Sequence, residues 1–269
     1  MTSTTESVPQ PRPLGAVHWL GLTTMIAKEI DRFLKAYPQT VMAPVISTLL
    51  FYTVFAIMMG GPKRSVGDVP FLTFLVPGLI MMTMAQNAFM NTSGSLVLSK
   101  LQGNIVDILM TPLSSFELTI SYVISGIARG LMTGVLLVFC FMPLVDVSVK
   151  NAMYILYHAV AGSMMFASLG VLAGIWADKF DHVITVHSFI VLPATFLSGA
   201  FSSLQDLPEK WHMLCYLNPF FYIVDGFRYG FIGVADSDLL MGALFALVVN
   251  LGLLGFAYHL FDSGYKLKA

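Results

Sequence analysis

The chain has 269 residues, of which 57% are hydrophobic and only 11% are charged, and its mean hydropathy is +0.79. Soluble domains carry about 25% charged residues, so this composition excludes an ordinary soluble domain and indicates an integral membrane protein. A net charge of −1 leaves no excess of basic residues for a nucleic-acid surface. The period-two alternation of β-barrel strands is absent, and we therefore expect an all-α membrane protein.

The N-terminal part divides into a tail and a helix. Residues 1–13 are polar and rich in proline, which predicts a disordered tail, and no cleavable signal is visible. Residues 14–37 predict an amphipathic helix in the headgroup layer, with basic side chains that reach lipid phosphates. One arc of about 80° carries the apolar residues and the other side carries the charges: Leu22, Ile26, Ile30, Phe33 and Tyr37 against Lys28, Asp31, Arg32 and Lys35.

Six segments are long and apolar enough, or nearly so, to cross a bilayer. A span needs about 20 residues, because about 30 Å of hydrocarbon is crossed at 1.5 Å per residue. The predicted spans, within a six-helix transmembrane domain over 38–269, are 39–59, 71–89, 118–142, 152–176, 183–198 and 239–261. The fifth is the shortest. Pro44, Pro77 and Pro193 predict kinks or wide turns.

Six spans place both termini on one side of the membrane, and the basic residues choose the side. If the termini are cytoplasmic, eight basic residues lie inside and five lie outside, which favours this orientation. Residues 94–117 are then cytoplasmic, and the long segment 199–237 is outside.

The polar island at 94–117 has an unusual apolar pattern. Val97, Leu101, Ile105 and Ile108 fall on one helical arc, whereas Val106 and Met110 add apolar surface on the polar side. A helix that rests on a membrane needs one apolar face, so the second indicates that something docks there.

Local signals divide the island into short pieces. Gly103 weakens a continuous helix, and Asn104 is a good N-cap for a fresh helix at 105–110 that contains Asp107. Thr111 and Pro112 stop that helix. Ser114 and Glu117 form a capping box for the third span.

The segment 199–237 is too long for a plain connection. Asp206 and Pro208 predict the start of a short helix over 207–217, which Asn218-Pro219 ends. Residues 220–233 are apolar but contain Asp225 and Arg228, so at membrane depth they need shielding by protein. Two interpretations remain open. The segment forms two short helices that enter and leave the outer leaflet, or an interfacial aromatic belt with Trp211, Tyr216, Tyr222 and Tyr229.

Catalytic signatures are missing from the sequence. It has no GxxxxGK[ST], HExxH or GxSG motif, and His182 and His187 fall on different helix faces. We therefore expect no catalytic residue, cofactor site or metal site in this chain. Asp and Glu residues lie only at span ends or in loops, which disfavours an ion-driven carrier or channel, the alternative function.

Arg129 is the one charge well inside a predicted span, and it should face a partner or a wet cavity. It is a pathway or helix-interface residue, or it pairs structurally with span-end carbonyls. It lies within a small-residue stripe, Gly126, Gly130 and Gly134, and Ala167, Gly170 and Gly174 give the fourth span a similar face. Intramolecular packing and a subunit interface both fit these stripes.

The order of these elements, together with several local motifs, resembles the permease subunit of an ABC-2 type transporter, in the branch that exports drugs, nodulation factors and polysaccharides. The motifs are VPGLIMM at 76–82, GNIVDILMTPLSSFEL at 103–118, ARG at 128–130, LSGAFSSLQDLPEKW…LNP at 197–219 and GFRYGFIG at 226–233. No single motif is diagnostic, and the resemblance covers nearly all of 14–268.

The resemblance implies a homodimer in the bacterial inner membrane that engages a separate cytoplasmic ABC ATPase, which binds ATP and Mg. It implies export or flipping of an amphipathic, lipid-like or lipid-linked substrate. The helix at 14–37 would be a connecting helix. The coupling helix would comprise Gly103, Asn104, Val106, Asp107, Met110 and Pro112. The re-entrant pair that caps the pathway would include Pro208, Trp211, Asn218, Pro219, Asp225 and Arg228.

Overall fold

The computed structural model describes residues 17–58, 65–66, 69–146, 148–204 and 208–267. The predicted tail at 1–13 and the predicted cap Asp206 lie outside them. The helices are α1 (Trp19–Lys35), α2 (Ala43–Met58), α3 (Phe71–Leu101), α4 (Ile105–Leu109), α5 (Ser115–Phe141), α6 (Ala152–Trp176), α7 (Phe180–Val186), α8 (Leu192–Phe196), α9 (Glu209–Leu217), α10 (Pro219–Ile232) and α11 (Leu239–Ser263). Two short strands, β1 (Ser65–Val66) and β2 (Val69–Pro70), pair antiparallel before α3.

Helix α3 is the centre of the bundle. It packs against α6, α5, α10 and α2, and most of its side chains are buried. Apolar residues from these helices form one continuous core, to which α11 adds a few contacts. The elements that surround α3 are therefore positioned by it.

The second predicted span ends at residue 89, but α3 continues to Leu101. The sequence becomes polar here, yet Asn91, Thr92 and Ser95 are buried between helices instead of facing water. Several hydroxyls also bond back to the helix, as when Ser93 Oγ donates to the Phe89 carbonyl at 2.7 Å. The loss of hydropathy marks a polar helix interface, and the helix extends 12 residues beyond the predicted span.

A π-helical turn precedes two of the prolines. Residues Pro38–Met42 and His187–Val191 are π-helical, and Pro44 and Pro193 follow two residues after each of them. Proline removes one backbone donor, and a wide turn is one way for a helix to absorb that loss. The predicted wide turns are found at these two sites.

The chain is an all-α membrane protein. Across the described ranges, five helices are long and apolar enough to span a bilayer: Pro38–Met58, Phe71–Leu101, Ser115–Phe141, Ala152–Trp176 and Leu239–Ser263. The helical stretch Phe180–Phe196, which includes α7 and α8, is apolar but shorter.

The bundle has two ends that are used below as reference points. At the proximal end, His18 lies against the start of α5, and Lys266 Nζ donates to the Trp176 carbonyl at 3.0 Å. At the distal end, the backbone N–H of Lys150 donates to the Gly230 carbonyl, and Ser203 donates to Asp236.

Candidate functional site: the proximal surface and the buried helix pair

Helix α4 lies at the proximal end and turns apolar side chains both inward and outward. Ile105 and Ile108 are buried in the core. Val106 is 45% exposed and Met110, just after the helix, is 80% exposed. The outward apolar surface inferred from the sequence therefore exists, and its role in docking stays a prediction.

The capping predictions around α4 have different outcomes. The capping box is confirmed, since Glu117 N–H donates to Ser114 Oγ and Ser114 N–H donates to Glu117 Oε2 at 2.7 Å. Asn104 occupies the N-cap position of α4, as predicted, but its side chain donates to Gln102 and caps no helical N–H. The chain turns between α3 and α4 at Gly103, whose φ of +76° favours glycine.

A groove of about 540 Å³ separates α4 from α1. Lys28 lines its α1 side, and Asp107 and Pro112 line the α4 side. The start of α1 is fixed because the His18 N–H donates to Glu117 Oε1 at 2.6 Å. Helices α1 and α4 thus form one continuous surface at the proximal end.

Helix α1 begins at Trp19, later than predicted, and its inward face carries a charge. Glu29 is 1% exposed, between the buried Met25 and Phe33. Its Oε2 accepts from Ser95 Oγ at 2.7 Å and from Arg32 Nε at 3.1 Å. Sequence reasoning missed this residue. The spacing of Met25, Glu29 and Phe33, one turn apart, is the signal that places Glu29 on the buried face.

Arg32 continues this polar contact into the bundle. Its guanidinium donates to the carbonyl and to the side-chain oxygen of Asn91, both at 3.0 Å. Asn91 in turn donates to Ser125 of α5 at 3.0 Å. The prediction that Arg32 reaches lipid phosphates is wrong, because burial of Glu29 draws it inward. Glu29, Arg32, Asn91 and Ser95 are called the α1 clasp below.

Arg129 lies inside the chain between three elements. Its guanidinium donates to the Thr40 carbonyl in the π-helical turn and to Asn87 Oδ1 of α3, each at 3.0 Å. The side chain is buried. The structure contains both a pairing with a backbone carbonyl near a span end and a contact across a helix interface.

Gly126 and Gly130 face other helices of the same chain. A Cβ built on Gly126 would lie 2.7 Å from Ala167 Cβ, and one on Gly130 would lie 2.6 Å from Ser163 Oγ. Arg129, Gly126 and Gly130 are all buried within the chain, and packing inside the chain accounts for their positions. A role of these three residues in a subunit interface or in a transport pathway stays a prediction.

Helices α9 and α10 form a pair that meets at Asn218. The Asn218 side chain accepts from the Phe220 N–H at 3.1 Å and donates to the Ala194 carbonyl of α8 at 2.6 Å. Pro219 occupies the first turn of α10, where its missing N–H is not needed. Pro208 precedes α9, and Trp211 on α9 is 48% exposed.

Helix α10 is buried among α3, α6 and α11, and both of its charges are shielded. The Asp225 carboxylate accepts from the Asp236 N–H at 2.9 Å and from the Ser237 N–H at 2.9 Å. Arg228 donates to the Gly199 carbonyl and lies 3.8 Å from the Phe74 ring centroid. The two charges therefore hold the distal loops onto α10.

The aromatic-belt interpretation applies to part of this segment only. Trp211 and Tyr216 of α9 are exposed, as a belt requires. Tyr222 and Tyr229 of α10 are partly buried and contact Phe221 and Tyr154. Within the described ranges, no group of three or more His, Cys, Asp or Glu residues is arranged to hold a metal ion.

Comparisons with known proteins agree with the sequence motifs. Residues 21–232 match the family described as ABC-2 type transporter. The chain is similar to the "Inner membrane transport permease YadH" of Escherichia coli strain K12, with 35% identity over 235 residues, 87% of this chain and 92% of the relative. The proteins of the same name from Escherichia coli O157:H7 and Shigella flexneri match equally well.

Proposed function

Because this chain belongs to the ABC-2 type transporter family, we propose that it is the permease subunit of an ATP-driven transporter in the bacterial inner membrane. A separate cytoplasmic ABC ATPase hydrolyses ATP, and it docks on α4. The observation that carries this proposal is the outward apolar pair Val106 and Met110, which lies beside the groove between α1 and α4. Lys28 and Asp107 on the two walls of that groove offer polar contacts of both signs.

The proposal includes six crossings, with both termini in the cytoplasm. Five of the crossings are the long helices, and the sixth is Phe180–Phe196. Support for the sixth comes from contacts at its two ends. Residue 178, just before α7, contacts Lys266 at the proximal end, whereas residues 199–204, just after α8, contact Arg228 and Asp236 near the distal end.

We assign the pair α9 and α10 as a re-entrant element on the external side. Both ends of the segment that contains the pair contact the distal loops, through Leu204 and Asp236. In the middle of this segment, the Asn218 side chain donates to the Ala194 carbonyl of α8. A chain that starts and finishes at one end enters and leaves the same side of the bundle.

The α1 clasp is the proposed route by which docking reaches the spans. A force on α4 and α1 passes through Glu29 and Arg32 to Ser95 and Asn91 of α3. Helix α3 packs on α5, α6 and α10, so its displacement rearranges the interior of the bundle. The proposed cargo is an amphipathic, lipid-like or lipid-linked molecule. We propose that a homodimer of this chain exports it or flips it across the membrane.

The docking proposal is tested by placing a charge on α4. We expect Val106→Asp and Met110→Asp, in the chain coexpressed with the ATPase of a neighbouring reading frame, to reduce copurification and permease-stimulated ATP hydrolysis about tenfold, because each variant buries a charge in an apolar contact. Tyr265→Asp is the matched control, since Tyr265 is 48% exposed, precedes Lys266 at the proximal end and does not line the groove beside α4.

Two results would contradict the proposal. Full copurification and coupling in both α4 variants would remove α4 as the docking surface. Gradient-driven transport by the reconstituted chain alone, with no ATPase present, would favour the alternative, a stand-alone carrier or channel.

A further inference from the structure

Two apolar grooves run side by side on the outer surface of the distal half of α6. The first, the α5–α6 groove, has a volume of about 350 Å³, and its floor includes Met84 of α3 and Phe227 of α10. The second, the α6–α11 groove, has a volume of about 380 Å³ and includes Met164 and Leu247. Leu156 of α6 lines both grooves, so a single row of side chains separates them.

The surface of both grooves is apolar. Asn250 is the one amide among the lining residues, and its NH₂ donates to the Ala161 and Ala246 carbonyls at 3.2 and 2.9 Å. Its side-chain oxygen is buried beneath the groove surface. An empty apolar groove loses dispersion contacts along its lining, so within a membrane it is filled by hydrocarbon. Two neighbouring grooves of about 350 and 380 Å³ offer room for the two chains of one diacyl lipid.

The polar end of each groove carries one charge. Exposed Lys150 lies between Val149 and Ala152, which line the α5–α6 groove. Exposed Asp238 precedes Leu239 and Leu240, which line a distal extension of about 190 Å³ that shares Met153 and Tyr157 with the α6–α11 groove.

Both charges stand on fixed backbone. The Lys150 N–H donates to the Gly230 carbonyl at 2.9 Å, and Asp238 caps α11 by accepting from the Met241 N–H at 2.9 Å. Asp146, an exposed acid in the loop before α6, lies toward Thr73 and Pro77 and lines neither groove.

We propose that the two grooves bind one diacyl aminophospholipid from the leaflet at the distal end. Its two acyl chains lie on either side of Leu156. Its phosphate pairs with Lys150, and its ammonium pairs with Asp238. A zwitterionic head matches one cation and one anion, whereas an anionic head without an ammonium matches Lys150 alone. Tyr154 and Tyr157, beside the head, have the amphipathic character that favours the headgroup level.

The test measures lipid retained on the purified, delipidated full chain by native mass spectrometry. The probes are phosphatidylethanolamine, phosphatidylglycerol with the same acyl chains, and lysophosphatidylethanolamine. We expect one phosphatidylethanolamine per chain, bound about fivefold more tightly than phosphatidylglycerol, because only the former has a partner for Asp238.

Groove and charge variants separate the two parts of the site. Ala152→Phe and Val160→Phe fill the grooves and should weaken retention by about tenfold. Val248→Phe is the control, since Val248 is 66% exposed on α11 and lines neither groove. Asp238→Asn keeps the helix cap and should abolish the preference for phosphatidylethanolamine, whereas Lys150→Gln should weaken both phospholipids.

Three outcomes would overturn the proposal. Equal binding of the lysolipid would mean that the paired grooves do not hold two chains. Equal binding of the two phospholipids by the unaltered chain would remove the role of Asp238. A change of oligomeric state in Ala152→Phe, with lipid retention unchanged, would mean that a second copy of the chain covers the grooves.

Discussion

At the scale of single residues, Gly170 shows how closely the helices approach. A Cβ built on Gly170 of α6 would lie 2.5 Å from the carbonyl oxygen of Phe89 and 3.1 Å from its Cα. Both atoms belong to the backbone of α3, so they cannot rotate away. The contact between α6 and the central helix therefore requires glycine at this position.

We expect Gly170→Ala to lower the stability of the purified chain by about 1–3 kcal/mol, because the added methyl group overpacks the α3–α6 contact. Gly255→Ala on α11 is the matched control, since no atom lies within 4 Å of its built Cβ. Thermal unfolding in detergent measures both. Equal melting temperatures for the two variants would mean that the helices separate without cost.

The sequence predicted such contacts only in part. The spacing of Gly126, Gly130 and Gly134, and of Gly170 and Gly174, indicates a small-residue face. Spacing along one helix does not identify the helix opposite, and for that reason packing within the chain and a subunit interface both remained open. Burial of Gly126 and Gly130 under α6 supplies the missing partner.

At the scale of elements, the α1 clasp fixes an amphipathic helix to the bundle by charge as well as by apolar contact. Glu29 is almost fully buried, while Arg32 remains about 30% exposed at its side chain. A carboxylate in such surroundings depends on its donors, because water does not reach it. Removing Arg32 alone leaves Glu29 with one described partner, Ser95.

We expect Arg32→Gln to reduce the free energy of unfolding by about 2 kcal/mol, the contribution typical of hydrogen bonds to a charged group. The double variant Glu29→Gln with Arg32→Gln should recover part of this loss, since no buried charge is then left unpaired. The measurement is a double-mutant cycle in chemical denaturant. Lys35→Gln, an exposed change on the same helix, is the control and should stay within about 0.5 kcal/mol.

Additive losses in that cycle would contradict the clasp.

The sequence predicted helix α1 itself from its periodicity, and it predicted the start of α5 from Ser114 and Glu117, which interact across three residues. It could not predict the partner of Glu29, because Ser95 lies 66 positions away. Local chemistry is readable from the sequence, whereas a polar contact between distant helices is not.

At the scale of the whole molecule, the number of crossings decides which surfaces share a compartment. The short stretch Phe180–Phe196 is the uncertain crossing when length alone is considered. It is shorter than the roughly 20 residues that a crossing needs, which explains why the sequence gave a weak signal there. The positions of its two ends against Lys266 and Asp236 could come only from tertiary contacts.

We expect a membrane-impermeant maleimide to label Lys210→Cys in intact spheroplasts, and to label Met110→Cys and Tyr265→Cys only after the membrane is disrupted. Each variant is made in a chain in which Cys140 and Cys215 are replaced by alanine. All three positions are exposed, so access depends on the side of the membrane alone. If Phe180–Phe196 does not cross, Lys210→Cys would be protected in intact spheroplasts and Tyr265→Cys would be labelled, because only Leu239–Ser263 would then separate the two positions.

The burial of α10 also has a consequence for synthesis of the protein. A helix of 14 residues that carries Asp225 and Arg228 is too short and too polar to be released into lipid as an independent span. Its partners α3 and α6 precede it in the chain, so they are already inserted when the ribosome reaches Pro219. The surface of α3 and α6 that receives α10 is therefore made before α10, and α11, which also covers α10, is added last.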